Sequence, residues 1–171
     1  MTNSNTSPVE VAIAILMRGD RFLLQLRDDI PGILYPGHWG FFGGHLDPGE
    51  TPDVALIREL KEEINYRPPY TLPFLCQRSD GPFGTPVPNR AAIRHVFVAP
   101  LTVSTEELTL AEGWDFDLLS ADDIKAGQCY SNIAQRVCPI GKPHRQILLD
   151  FIQVLSAGYS IDQGVNEQAA S

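Results

Sequence analysis

Three carboxylates in this chain share one spacing. Glu59, Glu62 and Glu63 fall at i, i+3 and i+4, and a helix brings residues so spaced onto one face. Such a cluster offers only oxygen, which suits Mg²⁺ or Mn²⁺ and not zinc. Arg58 precedes Glu62 by four residues and can orient it, and Glu50 sits in the turn ahead of the run. Glu59 and Glu63 repel each other at i, i+4 unless a cation relieves them. Alone, E-x-x-E-E describes a solvated acidic helix face better than a metal site, because charge runs are common on helix surfaces, so the surrounding chain has to decide.

The element that must position the cluster is a helix beginning near Thr51. Thr51 suits the N-cap, Pro52 the first helical position and Asp53 the positive helix start. Leu56, Leu60 and Ile64, with Ile57 beside them, form its core stripe. Asn65 is a left-handed stop, and Pro68-Pro69 forbids continuation. Ahead of the helix, Val9 to Arg18 reads as a strand. Val11, Ile13, Ile15 and Met17 share one face, Ala12, Ala14 and Leu16 the other. Both faces are apolar, so the strand is covered on both sides. Gly19-Asp20 turns the chain into a return strand, Arg21 to Arg27. Asp28 to His38 is a long loop, and Trp39 to Phe42 leads into Gly43-Gly44.

Later strands are expected at Tyr70–Gln77, Ala91–Pro100 and Trp114–Leu118, with a turn-rich stretch from Ser79 to Asn89 between the first two. Ala121–Ala126 reads as a short helix. Pro143–Ala157 reads as a long one that buries Ile147, Leu148, Phe151, Ile152 and Leu155 and stops at Gly158. No internal repeat or domain linker is visible.

Composition narrows the classes. The 171 residues suit one domain, and 43% of them are apolar, enough for a core. Cys76, Cys129 and Cys138 form no C-x-x-C pair, which argues against a disulfide scaffold or zinc ribbon and for a reduced, cytoplasmic compartment. The apolar run Val11 to Met17 is far too short to span a membrane. The polar start, residues 1–8, does not read as a signal peptide. A formal charge of −8 opposes binding to a nucleic acid polymer. Small phosphate ligands remain open, because a divalent cation can bridge them to carboxylates.

The spacing around the cluster then decides. Gly44, five residues, Glu50, seven residues, Arg58-Glu59-Leu60-Lys61-Glu62-Glu63-Ile64 and Asn65-Tyr66 resembles the Nudix hydrolase signature, G-x5-E-x7-R-E-U-x-E-E-x-G-U, with U a bulky apolar residue. The departure is Asn65 where the family has glycine, and asparagine is the next best residue for a left-handed stop. The resemblance runs over roughly residues 9–157. It implies an α/β fold, a three-layer α/β/α sandwich around a mixed sheet. Residues 9–158 are then one domain, with tails at 1–8 and 159–171. It also implies Mg²⁺- or Mn²⁺-dependent hydrolysis of a phosphoanhydride in a nucleoside diphosphate linked to another group. By position, Glu59, Glu62 and Glu63 become metal ligands, one able to double as general base. Gly44 would face the metal, the carbonyl of Gly43 or Gly44 would be a further ligand, and Arg58 and Glu50 would hold the carboxylates in place.

Residues outside the signature extend this expectation. Glu112, before Trp114, stands where related hydrolases often place a further metal-binding or base carboxylate, and Glu106 and Glu107 compete for the role. Arg27 stands where many relatives have an arginine that meets substrate phosphate, although it can instead pair with Asp28 or Asp29 on the surface. Of Tyr35, Trp39, Phe41 and Phe42, one can stack on a base, and at least two are expected in the core. His38, His45 and His95 are candidates for phosphate contact, and Arg90 and Arg94 flank a strand from which they can reach a substrate.

The signature does not encode the leaving group. The arrays of NADH and coenzyme A pyrophosphatases are absent. Pro82, 16 residues past Tyr66, matches a placement in some ADP-ribose pyrophosphatases, but Pro86 and Pro88 stand beside it. The run Trp39 to His45 resembles Nudix proteins of unassigned or nucleoside triphosphate specificity, and the expected substrate is a nucleoside triphosphate or a nucleotide sugar. A non-catalytic effector-binding module of the same fold is the alternative. It usually comes with an eroded signature or a DNA-binding domain, neither of which is seen. Isopentenyl diphosphate isomerase, of the same fold, needs a catalytic cysteine and glutamate in other motifs that cannot be placed here. Oligomeric state is not readable.

Overall fold

The computed structural model describes residues 8–69, 71–80 and 92–160. Strand β1 (Val9–Arg18) is the centre of the sheet, and its residues 12–17 are buried. Two strands divide one of its edges. β2 (Arg21–Leu26) pairs antiparallel with its last residues, Leu16 facing Leu23, after the Gly19-Asp20 turn. β4 (Phe42–His45) pairs antiparallel with its first half, Ala12 facing Gly44. Between them β3 (Trp39–Gly40) lies along β2. On the other edge β6 (Ala92–Pro100) runs parallel to β1, and β5 (Phe74–Asp80) closes the sheet antiparallel to β6. β7 (Asp115–Leu119) pairs antiparallel with β2. One parallel pairing among antiparallel ones makes the sheet mixed.

The alternation in β1 sends its two faces into two cores. Ala12, Ala14 and Leu16 pack with Leu56, Leu60 and Ile64 of helix α1 (Pro52–Ile64). Ile13, Ile15 and Met17 pack with Ile124 of α2 (Ala121–Ala126) and with Ile147, Leu148 and Phe151 of α3 (Lys142–Ser156). Each large aliphatic or aromatic side chain so buried contributes about 1.5–3 kcal/mol. The result is the expected α/β/α sandwich.

Differences from expectation are local. The strand expected at Tyr70–Gln77 is Phe74–Asp80, and the one expected at Trp114–Leu118 starts one residue later. Thr51 has N-cap geometry but its side chain makes no cap hydrogen bond. A hairpin of β8 (Gln128–Ser131) and β9 (Arg136–Pro139) was not foreseen. Residues 81–91, with Pro82, Pro86, Pro88 and Arg90, lie outside the described residues, as do residues 1–7 and 161–171. Among the described residues no helix is long and apolar enough to cross a membrane, and all three cysteines are free.

Candidate active site

The site grows from the junction of β4 with α1. Gly43 has φ +125°, and a Cβ there would lie 2.1 Å from the Ala12 carbonyl oxygen, so only glycine lets β4 approach β1 so closely. At Gly44 a Cβ would meet the Glu59 carboxylate at 2.5 Å. The bare backbone at Gly44 is therefore the cradle in which that carboxylate lies. Asn65 ends α1 in the left-handed conformation, φ 52°, and its N–H returns to the carbonyls of Leu60 and Lys61. The last turn carrying Glu62 and Glu63 is thereby closed where expected.

Arg58 and Glu50 form a clamp. Arg58 Nε and Nη2 donate to Glu50 Oε1 and Oε2 at 3.0 and 2.9 Å. Nη2 also donates to the His45 carbonyl at 3.0 Å, and Nη1 to Glu59 Oε1 at 2.7 Å. Glu50 also accepts from the Asp47 N–H at 2.9 Å. The guanidinium, first, and then the Asp47 N–H hold the Glu50 carboxyl below its usual pKa, while Glu50 and Glu59 push the pKa of Arg58 upward. The arginine thus ties the β4–α1 turn to the helix and fixes one oxygen of Glu59.

Glu63 is buried, unlike its neighbours. Its Oε2 accepts from the Gly43 N–H at 2.8 Å and its Oε1 from Gln25 Nε2 at 3.1 Å. Burial, with smaller contributions from the charges of Glu59 and Glu112, raises its pKa to about 7 despite those two hydrogen bonds. Gln25, which the sequence reading passed over, is itself buried and shares its amide with the Phe41 carbonyl at 3.3 Å. The available signal was a lone amide in an otherwise apolar strand.

A cavity of about 450 Å³ collects these residues, within the range of small-ligand pockets. Gly44, Arg58, Glu59, Glu63 and Glu112 line it, together with Val9, Val11, Ile13, Tyr35 and Phe41, and so do Arg27, Arg94 and His144. Of the four candidate aromatics, Trp39 and Phe42 are fully buried in the core, which leaves Tyr35 and Phe41 to the cavity. Arg27 makes no ion pair with a described residue, Asp28 and Asp29 included; Asp29 instead binds Arg136 at 2.7 Å. Glu106 and Glu107 belong to a 3₁₀ turn and do not line the cavity. His38 is held by the Pro36 carbonyl and His95 by Glu10, whereas His45 lines the cavity.

The expectation of three glutamates on one face is met in part. Glu62 is 61% exposed, does not line the cavity and approaches only Arg58, at 3.4 Å. Among the described residues no three acidic, histidine or cysteine side chains already converge as a metal site. The physical reason lies in the hydrogen bonds above: Glu59 turns to a guanidinium and Glu63 to N–H donors, which relieves their repulsion. The donor chemistry nevertheless fits a hard divalent ion. All the groups are oxygen, the Gly44 cradle keeps Glu59 against the backbone, and Glu59, Glu63 and Glu112 are close enough to raise one carboxyl's pKa.

Comparisons with known proteins agree with this architecture. The family model described as NUDIX domain matches residues 6–133. A nucleoside triphosphatase, NudI, of Enterobacter sp. (strain 638) is 47% identical over 57 residues, 33% of this chain and 40% of that protein. An RNA pyrophosphohydrolase of Gluconobacter oxydans is 39% identical over 66 residues, 37% of this chain and 36% of that protein. The chain therefore spans about two-fifths or less of the length of these curated relatives. The solution structure of the E. coli ORF135 protein superposes with a TM-score of 0.67 at 22% identity, covering 94% of this chain and 99% of that one. With the signature residues gathered at β4 and α1, and the family model matched over most of its length, the chain belongs to the Nudix family.

Proposed function

We propose that the chain hydrolyses a phosphoanhydride bond of a nucleoside diphosphate linked to another group, with a nucleoside triphosphate or nucleotide sugar as substrate. The observation that carries this reading is that Glu59, lying against Gly44, lines with Glu63 and Glu112 one cavity whose walls are also apolar and aromatic. Glu59, Glu62, Glu63 and Glu112, with the Gly44 carbonyl, would hold Mg²⁺ or Mn²⁺. The place of Glu62 in this set rests on the family spacing. When bound, the ion neutralises the diphosphate, polarises its oxygens and lowers the pKa of water.

The chain's own residues supply the rest. Arg58 and Glu50 fix the turn that presents Gly44 and Glu59. Gln25 and the Gly43 N–H fix both oxygens of Glu63. Arg27 meets a substrate phosphate by charge and by its planar donors. Val9, Val11, Tyr35 and Phe41 take the apolar faces of the nucleoside and exclude water. The free cysteines and net charge of −8 support a cytoplasmic setting with a small-molecule substrate and no polymer partner.

A panel of nucleoside triphosphates and nucleotide sugars with Mg²⁺, read by phosphate release after a coupling phosphatase, tests the proposal. Metal-dependent release of a phosphorylated product, stopped by EDTA, is expected. Turnover of phosphomonoesters only, or full activity without metal, overturns it. Tight nucleotide binding without turnover would replace the enzyme with an effector-binding module.

A further inference from the structure

His144, the second residue after the Lys142 that begins α3, is the histidine that the signature and its surroundings do not explain. Its Nδ1 lies 3.0 Å from the Phe41 N–H. A backbone N–H can only donate, so Nδ1 carries the lone pair and the proton resides on Nε2. Burial, and then the nearby charges of Arg94 and Arg27, push its pKa down to about 3, so the ring is neutral at any ordinary pH. The ring is wedged against Phe41, 5.2 Å between centroids, and meets Tyr35 edge-on at 6.3 Å. A Cβ on Gly40 would press on it at 3.2 Å. Its tautomer and its orientation are both fixed, and it faces the cavity.

Three side chains from distant elements thus line this part of the cavity: Arg27 after β2, Arg94 on β6 and His144 on α3. All three offer N–H groups to the cavity, the one acceptor among them, Nδ1 of His144, being taken by the Phe41 N–H. Tyr35, Phe41, Val9 and Val11 line the same cavity, and aromatic and apolar side chains suit a base rather than a free phosphate. Guanine presents two acceptors there, O6 and N7, whereas adenine places an N6 amino donor next to N7. An amino group against the Arg94 and His144 donors leaves a buried N–H without a partner, which is costly.

Resting on the nucleotide-hydrolase reading above, we propose that His144 is the residue that sets base specificity: its Nε2–H, with Arg94, selects a keto edge of the guanine kind over an amino edge of the adenine kind, while Arg27 stays with the substrate phosphate.

Equilibrium binding of GMP and AMP, beside turnover of GTP and ATP with Mg²⁺, tests this on the full chain. The wild type is expected to favour the guanine member of each pair by about tenfold or more. His144→Asn places an amide oxygen near Nδ1, keeps the Phe41 N–H satisfied and removes the Nε2 donor; the ratio should fall towards one. His144→Gln puts an amide N–H near the Nε2 position and should keep most of the preference. Melting temperatures of both variants separate misfolding from lost recognition, and the wild-type ratios stand on their own. Equal binding of GMP and AMP by the wild type overturns the proposal. So does a ratio that survives His144→Asn. Weaker competition by inorganic phosphate in His144→Asn, with the base ratio unchanged, would assign the donors to a phosphate and overturn it too. If neither triphosphate is hydrolysed but the GMP preference stands, the enzymatic reading fails and the specificity assignment survives; hydrolysis without base preference gives the reverse.

Discussion

The cavity joins two sets of polar residues built in opposite ways. The acidic set comes mostly from one continuous stretch, Gly44 to Glu63, and is held by short-range ties such as Arg58 to Glu50 and Glu59. The donor set is assembled from Arg27, Arg94 and His144, which the sheet and α3 bring together across more than a hundred residues. The first set carries repelling like charges that call for a cation. The second carries fixed N–H groups that call for acceptors. Local spacing is enough to put carboxylates on neighbouring turns, because a helix fixes i, i+3 and i+4 neighbours. A recognition surface needs the whole fold, and it can change without disturbing the chemistry.

Four substitutions sharpen this contrast. The largest effect is expected at Glu63→Gln. The variant loses a charged oxygen proposed to hold the cation, and turnover should fall by about a hundredfold or more, read in the Mg²⁺-dependent assay. Arg58→Ala should follow. Without the clamp, Glu59 and the β4–α1 turn lose their fixed positions, and metal affinity or activity should drop roughly 10–100-fold, visible as a shift in the Mg²⁺ titration midpoint. Arg27→Ala should raise KM about tenfold with a smaller change in kcat, because a phosphate contact is made in ground and transition states alike; unchanged KM for every active substrate would leave Arg27 outside substrate binding. The smallest effect belongs to Asn65→Gly. Either residue adopts the left-handed cap, so activity should stay within a few-fold and stability within about 1 kcal/mol. A large loss would assign the Asn65 side chain, which contacts Lys61, a role of its own.

What was legible in the sequence follows the same division. The two-sided apolar alternation of β1, the Leu56, Leu60 and Ile64 stripe and the Asn65 stop could be read because each is a local periodicity or a conformational preference of one residue. The signature located Arg58, Glu50, Glu59 and Gly44, and the geometry groups them. Spacing could not show that Glu62 turns to solvent while Glu63 is buried under Gln25 and Gly43, because that depends on which helix edge meets β4. The β8–β9 hairpin escaped because Gln128 to Pro139 has no clean alternation, and its turn uses Gln135 at positive φ, 55°, where glycine or asparagine would have been the signal. His144 escaped because its partners, the Phe41 N–H and the two guanidiniums, are remote in sequence.

The acidic set is tested most directly by the melting temperature of wild type and Glu63→Gln, each with and without Mg²⁺. In the metal-free protein the substitution removes a buried carboxyl that Glu59 and Glu112 repel. It also turns one acceptor facing Gln25 Nε2 or the Gly43 N–H into a donor, at a cost of about 1 kcal/mol. These effects oppose each other, so the two metal-free proteins should melt close together. Mg²⁺ at a hundred times its dissociation constant should stabilise wild type by about 2.7 kcal/mol, and the variant should lose most of that gain. If Glu63→Gln instead melts far lower without metal, and responds to Mg²⁺ as wild type does, Glu63 is a structural carboxyl and the metal site lies elsewhere.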